Sequence, residues 1–129
     1  MLLVDTSVLI LTSGSDISLE ELFPFDDFAI CLPIVQEILQ GTRNERVFRL
    51  VRDSLLAFPI LENPMSEDVF VEAAHIYHTG RKLGFTIRSA NDCLIAACAI
   101  RAAVPLLHVD RDFDTIARFT SLNARNVLQ

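Results

Sequence analysis

The sequence has 129 residues, 51% of them hydrophobic and 22% charged, which is about one domain's length and excludes a disordered chain. Seventeen acidic against eleven basic residues give a formal net charge of −6, excluding a molecule whose whole surface attracts nucleic acid or anionic lipid. The apolar opening ends at Asp5 and the longest apolar run, Cys93 to Ile100, has eight residues; neither a secretory leader nor a membrane span of ~18 residues is expected, and the location read from this is cytoplasmic.

In chain order, Leu2-Leu3-Val4 is a short apolar run of the kind that fits a strand buried on both faces, and Phe28 to Leu32 is a second. Pro33 suits a first helical position, and Ile34, Ile38 and Gly41 outline a helix through Gln40. From Glu45 to Phe58, Val47, Leu50, Val51 and Leu55 recur on one helical face. Phe58 to Leu61 is an additional strand candidate. Ser66 caps a helix with Val69, Ala73, Ile76 and Tyr77 on its core side, stopping near Gly80 or Gly84, and Ser89 caps another through Ala103. Val104 to Val109 is the third clear strand, Asp112 to Thr120 the last helix, and Leu122 to Leu128 a final strand candidate. Strands alternating with helices imply right-handed crossovers and a parallel sheet covered on both sides, a three-layer α/β/α sandwich. Cys31, Cys93 and Cys98 are odd in number, form no CxxC and read as buried thiols.

Ligands of such sheets bind beyond the carboxyl ends of the strands. Asp5 follows the first strand and Asp110 the third, while Glu37 and Asp92 fall in first turns of helices after extended segments. Taken singly, each has an ordinary alternative: Asp5 as a helix N-cap, Asp92 as the third residue after the Ser89 cap, Glu37 as a solvent-facing helix residue, Asp110 and Asp112 as turn or cap residues. Together, two carboxylates ~4 Å apart repel by roughly 4 kcal/mol at an effective dielectric near 20, so the cluster needs a cation or shared protons. Lys82 is the single lysine and no regular arginine pattern accompanies the acids. A divalent cation is then the economical answer, with oxygen ligands suiting Mg2+ or Mn2+ and phosphodiester hydrolysis as the chemistry. Of the basic residues, Arg43 and Arg111 lie nearest the segments that carry these acids and are the candidates for binding a phosphodiester substrate. The series Arg43, Arg46, Arg49, Arg52 drifts by ~60° per step around a helix and cannot touch one ligand throughout.

Val4-Asp5-Thr6-Ser7, Pro33 through Glu37 to Gly41, Asn91-Asp92-Cys93-Leu94-Ile95-Ala96-Ala97 and Asp110-Arg111-Asp112-Phe113 resemble the four motifs of the PIN domain. The order and spacing are most similar to VapC-type toxins of toxin–antitoxin pairs, over essentially the whole chain, as a single PIN domain at 1–129. The resemblance implies a metal-dependent single-strand endoribonuclease, a VapB-type antitoxin partner and a homodimer. It carries the family's catalytic, metal-binding acids over to Asp5, Glu37, Asp92 and Asp110, with Thr6 and Asp112 as assisting residues. His108 departs from the pattern, standing where the family commonly has threonine or serine.

Other readings fit less well. A receiver-type phospho-acceptor domain should have a lysine after its last core strand, and Lys82 lies in a helical segment. A phosphatase of the haloacid dehalogenase type should open on its nucleophile, whereas Asp110-Arg111-Asp112 lies near the end. His75 and His78 lack a nearby third zinc ligand. A catalytically inactive PIN-like scaffold acting as an interaction module is the non-enzymatic alternative, against which retention of all four acids counts.

Overall fold

In the computed structural model, which describes residues 1–16 and 18–129, the short apolar runs form the centre of a parallel sheet. Its strands are β1 (Leu2–Val4), β2 (Phe28–Cys31), β3 (Ile60–Leu61), β4 (Leu106–His108) and β5 (Ala124–Asn126), in the order β3-β2-β1-β4-β5, every pairing parallel. The central strands are nearly continuous apolar residues because helices cover both faces. Leu3, Ile30 and Leu106 enter a large core with α5 and α6, whereas Leu2, Val4 and Leu107 enter a smaller one with Val8 and Leu19. Alternate residues of a strand thus feed opposite layers. The layers match the expected α/β/α arrangement, and both tentative strands are present in shortened form.

The helices are α1 (Thr6–Ser13), α2 (Leu19–Leu22), α3 (Leu32–Gln40), α4 (Glu45–Leu55), α5 (Glu67–Lys82), α6 (Ala90–Ala102) and α7 (Arg111–Ala117). Several boundaries differ from those read in the sequence. The strand expected to Leu32 ends at Cys31, and the helix expected from Pro33 starts at Leu32. β4 is shorter than Val104 to Val109, and α7 ends at Ala117 rather than Thr120. α5 passes through Gly80, whose missing side chain is used for packing: a Cβ there would lie 2.8 Å from Ile87 Cδ1 and 2.9 Å from Phe119 Cζ. Its termination falls to Gly84, with φ +87°, a conformation glycine adopts without steric cost.

Two apolar faces are less covered than their periodicity predicts. On α4 only Leu55 is buried, while Leu50 is 59% exposed and Val47 also open. On α5, Val69, Ala73 and Ile76 are buried but Tyr77 is exposed beside Phe70 and Val71. Periodicity reports that a face is apolar; it does not say that this chain covers it. Cys31, Cys93 and Cys98 are buried and free, as expected. Among the described residues, no helix is long and apolar enough to cross a membrane.

Candidate metal centre

Parallel strands align their carboxyl ends, so the loops that follow β1 and β4 open on the same edge of the sheet. Asp5 follows β1 and caps α1: its Oδ2 accepts from the Ser7 N–H at 3.1 Å and from the Ser7 hydroxyl. That hydroxyl in turn accepts from the Val109 N–H at 3.2 Å, so one oxygen ties Asp5 to the end of the neighbouring strand. The cap and the cluster are not alternatives, because only one carboxylate oxygen is used for capping. The other, Oδ1, is buried and has no hydrogen-bond partner among the described residues.

Asp92 repeats the pattern on α6. Ser89 is the N-cap and its Oγ accepts from the Asp92 N–H at 3.3 Å, but the Asp92 side chain does not complete a capping box; its Oδ2 is buried without a partner among the described residues. Glu37 was expected in the first turn of its helix but lies in the second, as the sixth residue of α3; counted from Pro33 it would be the fifth, already beyond the first ~3.6 residues. Its Oε2 accepts from Asn91 Nδ2 at 2.7 Å, which joins α3 to the first turn of α6. Asp110 stands two residues beyond β4, since that strand ends at His108 rather than Val109, and caps α7 by accepting from the Asp112 N–H at 2.9 Å.

The tightest group is Asp92, Asp110 and Asp112, with ligand oxygens all within 4.8 Å of one another. Asp5 and Glu37 stand outside that trio, yet their charges reach it. Burial, followed by the charges of Asp110, Asp5, Asp112 and Glu37, pushes the Asp92 carboxyl up to about 8. Burial raises Asp5 as well, against the lowering effect of the Ser7 hydrogen bonds, with the Glu37 charge adding to the rise. Buried carboxylate oxygens left without donors are costly. A hard divalent cation takes oxygen ligands of this kind, so the donor set fits one.

Three further residues shape the cluster through contacts that only the fold shows. Arg88, on the connection before α6, pairs with Asp112 (Nε to Oδ1, 3.3 Å) and lies near Asp110 (3.7 Å to Oδ1); the contact joins residues 24 apart in sequence and adds a single arginine where no regular pattern of them was expected. His108 is fully buried, and its Nδ1 accepts from the Asp110 N–H at 3.1 Å, a hydrogen bond available to an imidazole nitrogen as to a hydroxyl. Its Nε2 lies 3.2 Å from Asp114 Oδ1 but without hydrogen-bond geometry. Ser7 links Asp5 to Val109, and the D-T-S sequence was its only signal. Of the assisting candidates, Thr6 is buried with an Oγ1 that has no partner among the described residues, and Asp112 is buried beside Asp110. Arg43 lines a groove of about 530 Å³ with Thr6, Ile10, Glu37, Ile38, Val47 and Val51, and Arg111 is exposed at the start of α7.

A family model described as PIN domain matches residues 2–119. The chain belongs to the PIN domain family. It is 44% identical over 96 residues to VapC ribonuclease Mb1587 of Mycobacterium bovis, covering 74% of this chain and 71% of that protein. Ribonuclease VapC11 of Mycobacterium tuberculosis matches to the same extent. The fold of this PIN domain is also that of VapBC-1 from nontypeable Haemophilus influenzae, with TM-score 0.77, 18% identity and coverage of 99% and 98% of the two chains.

Ser7→Ala tests how the Asp5 position is held. It removes a charge-assisted hydrogen bond and leaves the Val109 N–H without its acceptor, so a loss of about 1–3 kcal/mol in urea unfolding is expected. The Asp5 carboxyl should rise further, since an interaction that lowers it is gone.

Proposed function

We propose that this chain is a divalent-metal-dependent endoribonuclease and the toxin of a VapBC-type pair, its 129 residues forming one PIN domain that acts in the cytoplasm. The observation carrying the reading is the pair of buried, partnerless oxygens on Asp5 and Asp92, set among further carboxylates at the carboxyl edge of the sheet. Names borne by 44%-identical relatives, VapC ribonuclease and ribonuclease VapC11, support RNA as the substrate.

Asp5, Glu37 and Asp92 would hold Mg2+ or Mn2+, with Asp110 completing the set or positioning water, and Thr6 and Asp112 assisting. When bound, the ion supplies positive charge against the phosphate and activates water for attack. The chain's own residues do the positioning. Ser7 fixes the Asp5 carboxylate by two donors, Asn91 fixes Glu37, and the Asp112 N–H fixes Asp110. Burial keeps Asp92 protonated near neutrality until a cation compensates its charge. Arg43 and Arg111 would bind RNA phosphates at the rim, countering the repulsion of a net acidic protein.

A VapB-type antitoxin is the proposed protein partner. The groove lined by Ile10, Ile38, Val47 and Val51, with Glu37 and Arg43 at its wall, offers an apolar seat adjoining the acids, where an occupant would also block RNA. The exposed Phe70, Val71 and Tyr77 on α5 support a homodimer through an apolar contact.

Purified chain free of antitoxin is expected to cut single-stranded RNA in Mg2+ or Mn2+ and to stop in EDTA. Cleavage unchanged by EDTA would overturn the metal reading. No cleavage under any divalent ion, with the fold intact, would leave the non-enzymatic scaffold in its place.

A further inference from the structure

Arg88 is held in an unusual way for a half-exposed arginine. Its backbone N–H donates to Asp112 Oδ2 at 3.2 Å and its Nε to Asp112 Oδ1 at 3.3 Å, so one residue engages both oxygens of a carboxylate that is 5% exposed. Nη2 lies 3.7 Å from Asp110 Oδ1, while the side chain as a whole remains 53% exposed. Asp112, buried and with both oxygens occupied, thereby acts as a holder of the guanidinium. An arginine gripped at Nε keeps outward-facing donors for a second anion, and the planar fork matches phosphate geometry.

The same connection holds a second guanidinium at the other end of α7. Phe85 stacks on Phe119 with centroids 5.4 Å apart, and Arg118 Cζ lies 4.8 Å from the centre of the Phe85 ring. Two pre-positioned cations therefore flank α7, one of them in contact with the acids. A phosphate approaching four or five carboxylates meets strong repulsion, and fixed positive charge at the lip of the site offsets it without the entropy of ordering a free side chain.

We propose that Arg88 is an RNA phosphate-binding residue, locked by Asp112 at the edge of the acidic cluster; the inference rests on the ribonuclease reading above. The probe is a short, labelled, mixed-sequence single-stranded RNA, bound in Ca2+, which takes the same oxygen ligands in a looser geometry than Mg2+. Arg88→Gln keeps side-chain N–H donors for Asp112 and removes the charge. It is expected to weaken RNA binding roughly tenfold across sequences and to reduce the slope of log K against log salt by about 0.7, the loss of one phosphate contact on a single strand. Arg88→Lys should restore most of the slope while binding less tightly than arginine. Arg101→Ala, whose partners Glu62 and Glu72 lie toward the opposite end of α6, should leave both unchanged.

In cleavage assays in Mg2+, Arg88→Gln should raise KM more than it lowers kcat. If Arg88→Gln binds RNA with wild-type affinity and salt slope while its melting temperature falls, Arg88 is a structural partner of Asp112 only and the proposal is overturned. Arg88→Ala, with circular dichroism to verify folding, repeats the test without any donor. Wild-type protein that neither binds nor cuts RNA would overturn the ribonuclease reading itself, whereas an active wild type with an indistinguishable Arg88→Gln overturns the Arg88 assignment alone.

Discussion

Asp5→Asn is expected to abolish RNA cleavage while making the metal-free protein more stable. The two effects come from the same buried oxygen. In the wild-type protein Oδ2 is satisfied by Ser7 and Oδ1 by none of the described residues, and burial and the Glu37 charge both disfavour the ionised carboxyl. An asparagine oxygen still accepts from Ser7, so the α1 cap persists. Its amide carries no charge and adds no repulsion to Asp92. Removing a like charge from a buried cluster should raise the metal-free melting temperature by a few degrees. On the ligand role proposed for Asp5, its loss should lower kcat by on the order of 10³-fold or more, since the charge stabilisation at stake is several kcal/mol. The stabilisation that Mg2+ gives by binding only the native state should shrink in parallel. Thermal melts with and without Mg2+, run beside an RNA assay, measure all three; an active variant with wild-type metal response would end the reading.

The second large effect is a stability that falls as pH rises in the absence of metal. Asp92 titrates near 8 in the folded protein against 3.8 as its ordinary value. Between those values the native state keeps a proton that the unfolded chain has released. The derivative of unfolding free energy with pH is proportional to protons bound unfolded minus protons bound folded, and is negative here. This contribution is present below the unfolded value and is lost as pH climbs toward the folded one. Asp5 adds a contribution of the same sign. Melting temperatures in EDTA should decline from about pH 5 to about pH 8, and Asp92→Asn should flatten the decline. Mg2+ should reverse the trend, because ion binding requires the deprotonated form and releases a proton. If Asp92 matters only as the third residue of α6, Asp92→Asn should cost on the order of 1 kcal/mol or less, equally with and without Mg2+, and leave cleavage intact.

Sequence reasoning reached the parallel sheet because β1, β2 and β4 are buried on both faces and consist almost wholly of apolar side chains. It reached Asp5 because the acid interrupts such a run and opens a helix. Asp92 was legible through Ser89, three residues before it. What stayed hidden was whatever depends on contacts between distant segments. Nothing local in Arg88 announces a partner at Asp112, and nothing in α4 reveals that Leu50 remains open. The four-residue α2 is too short to display a period. His108 could be recognised as a departure from the family pattern, but only the fold shows it accepting from the Asp110 N–H. Tyr77, read as core, is exposed, and so is Val47 on the apolar face of α4, because an apolar face meant for another molecule has the same pattern as one meant for the chain's own interior.

The strand order carries a consequence for the timing of synthesis. β1 is made before both of its neighbours, and one of them, β4, lies about a hundred residues later, after β2, β3 and the helices between them. Until β4 is in place, Val109 is not there for Ser7 to hold, and Asp110, Asp112 and the lock on Arg88 do not exist. A ribosome-bound chain that has emerged only through α6 carries Asp5, Glu37 and Asp92 without the strand that closes the sheet beside Asp5. Closure of this edge therefore waits on β4, and the acids made before it stand beside a gap that only a distant, later strand can fill.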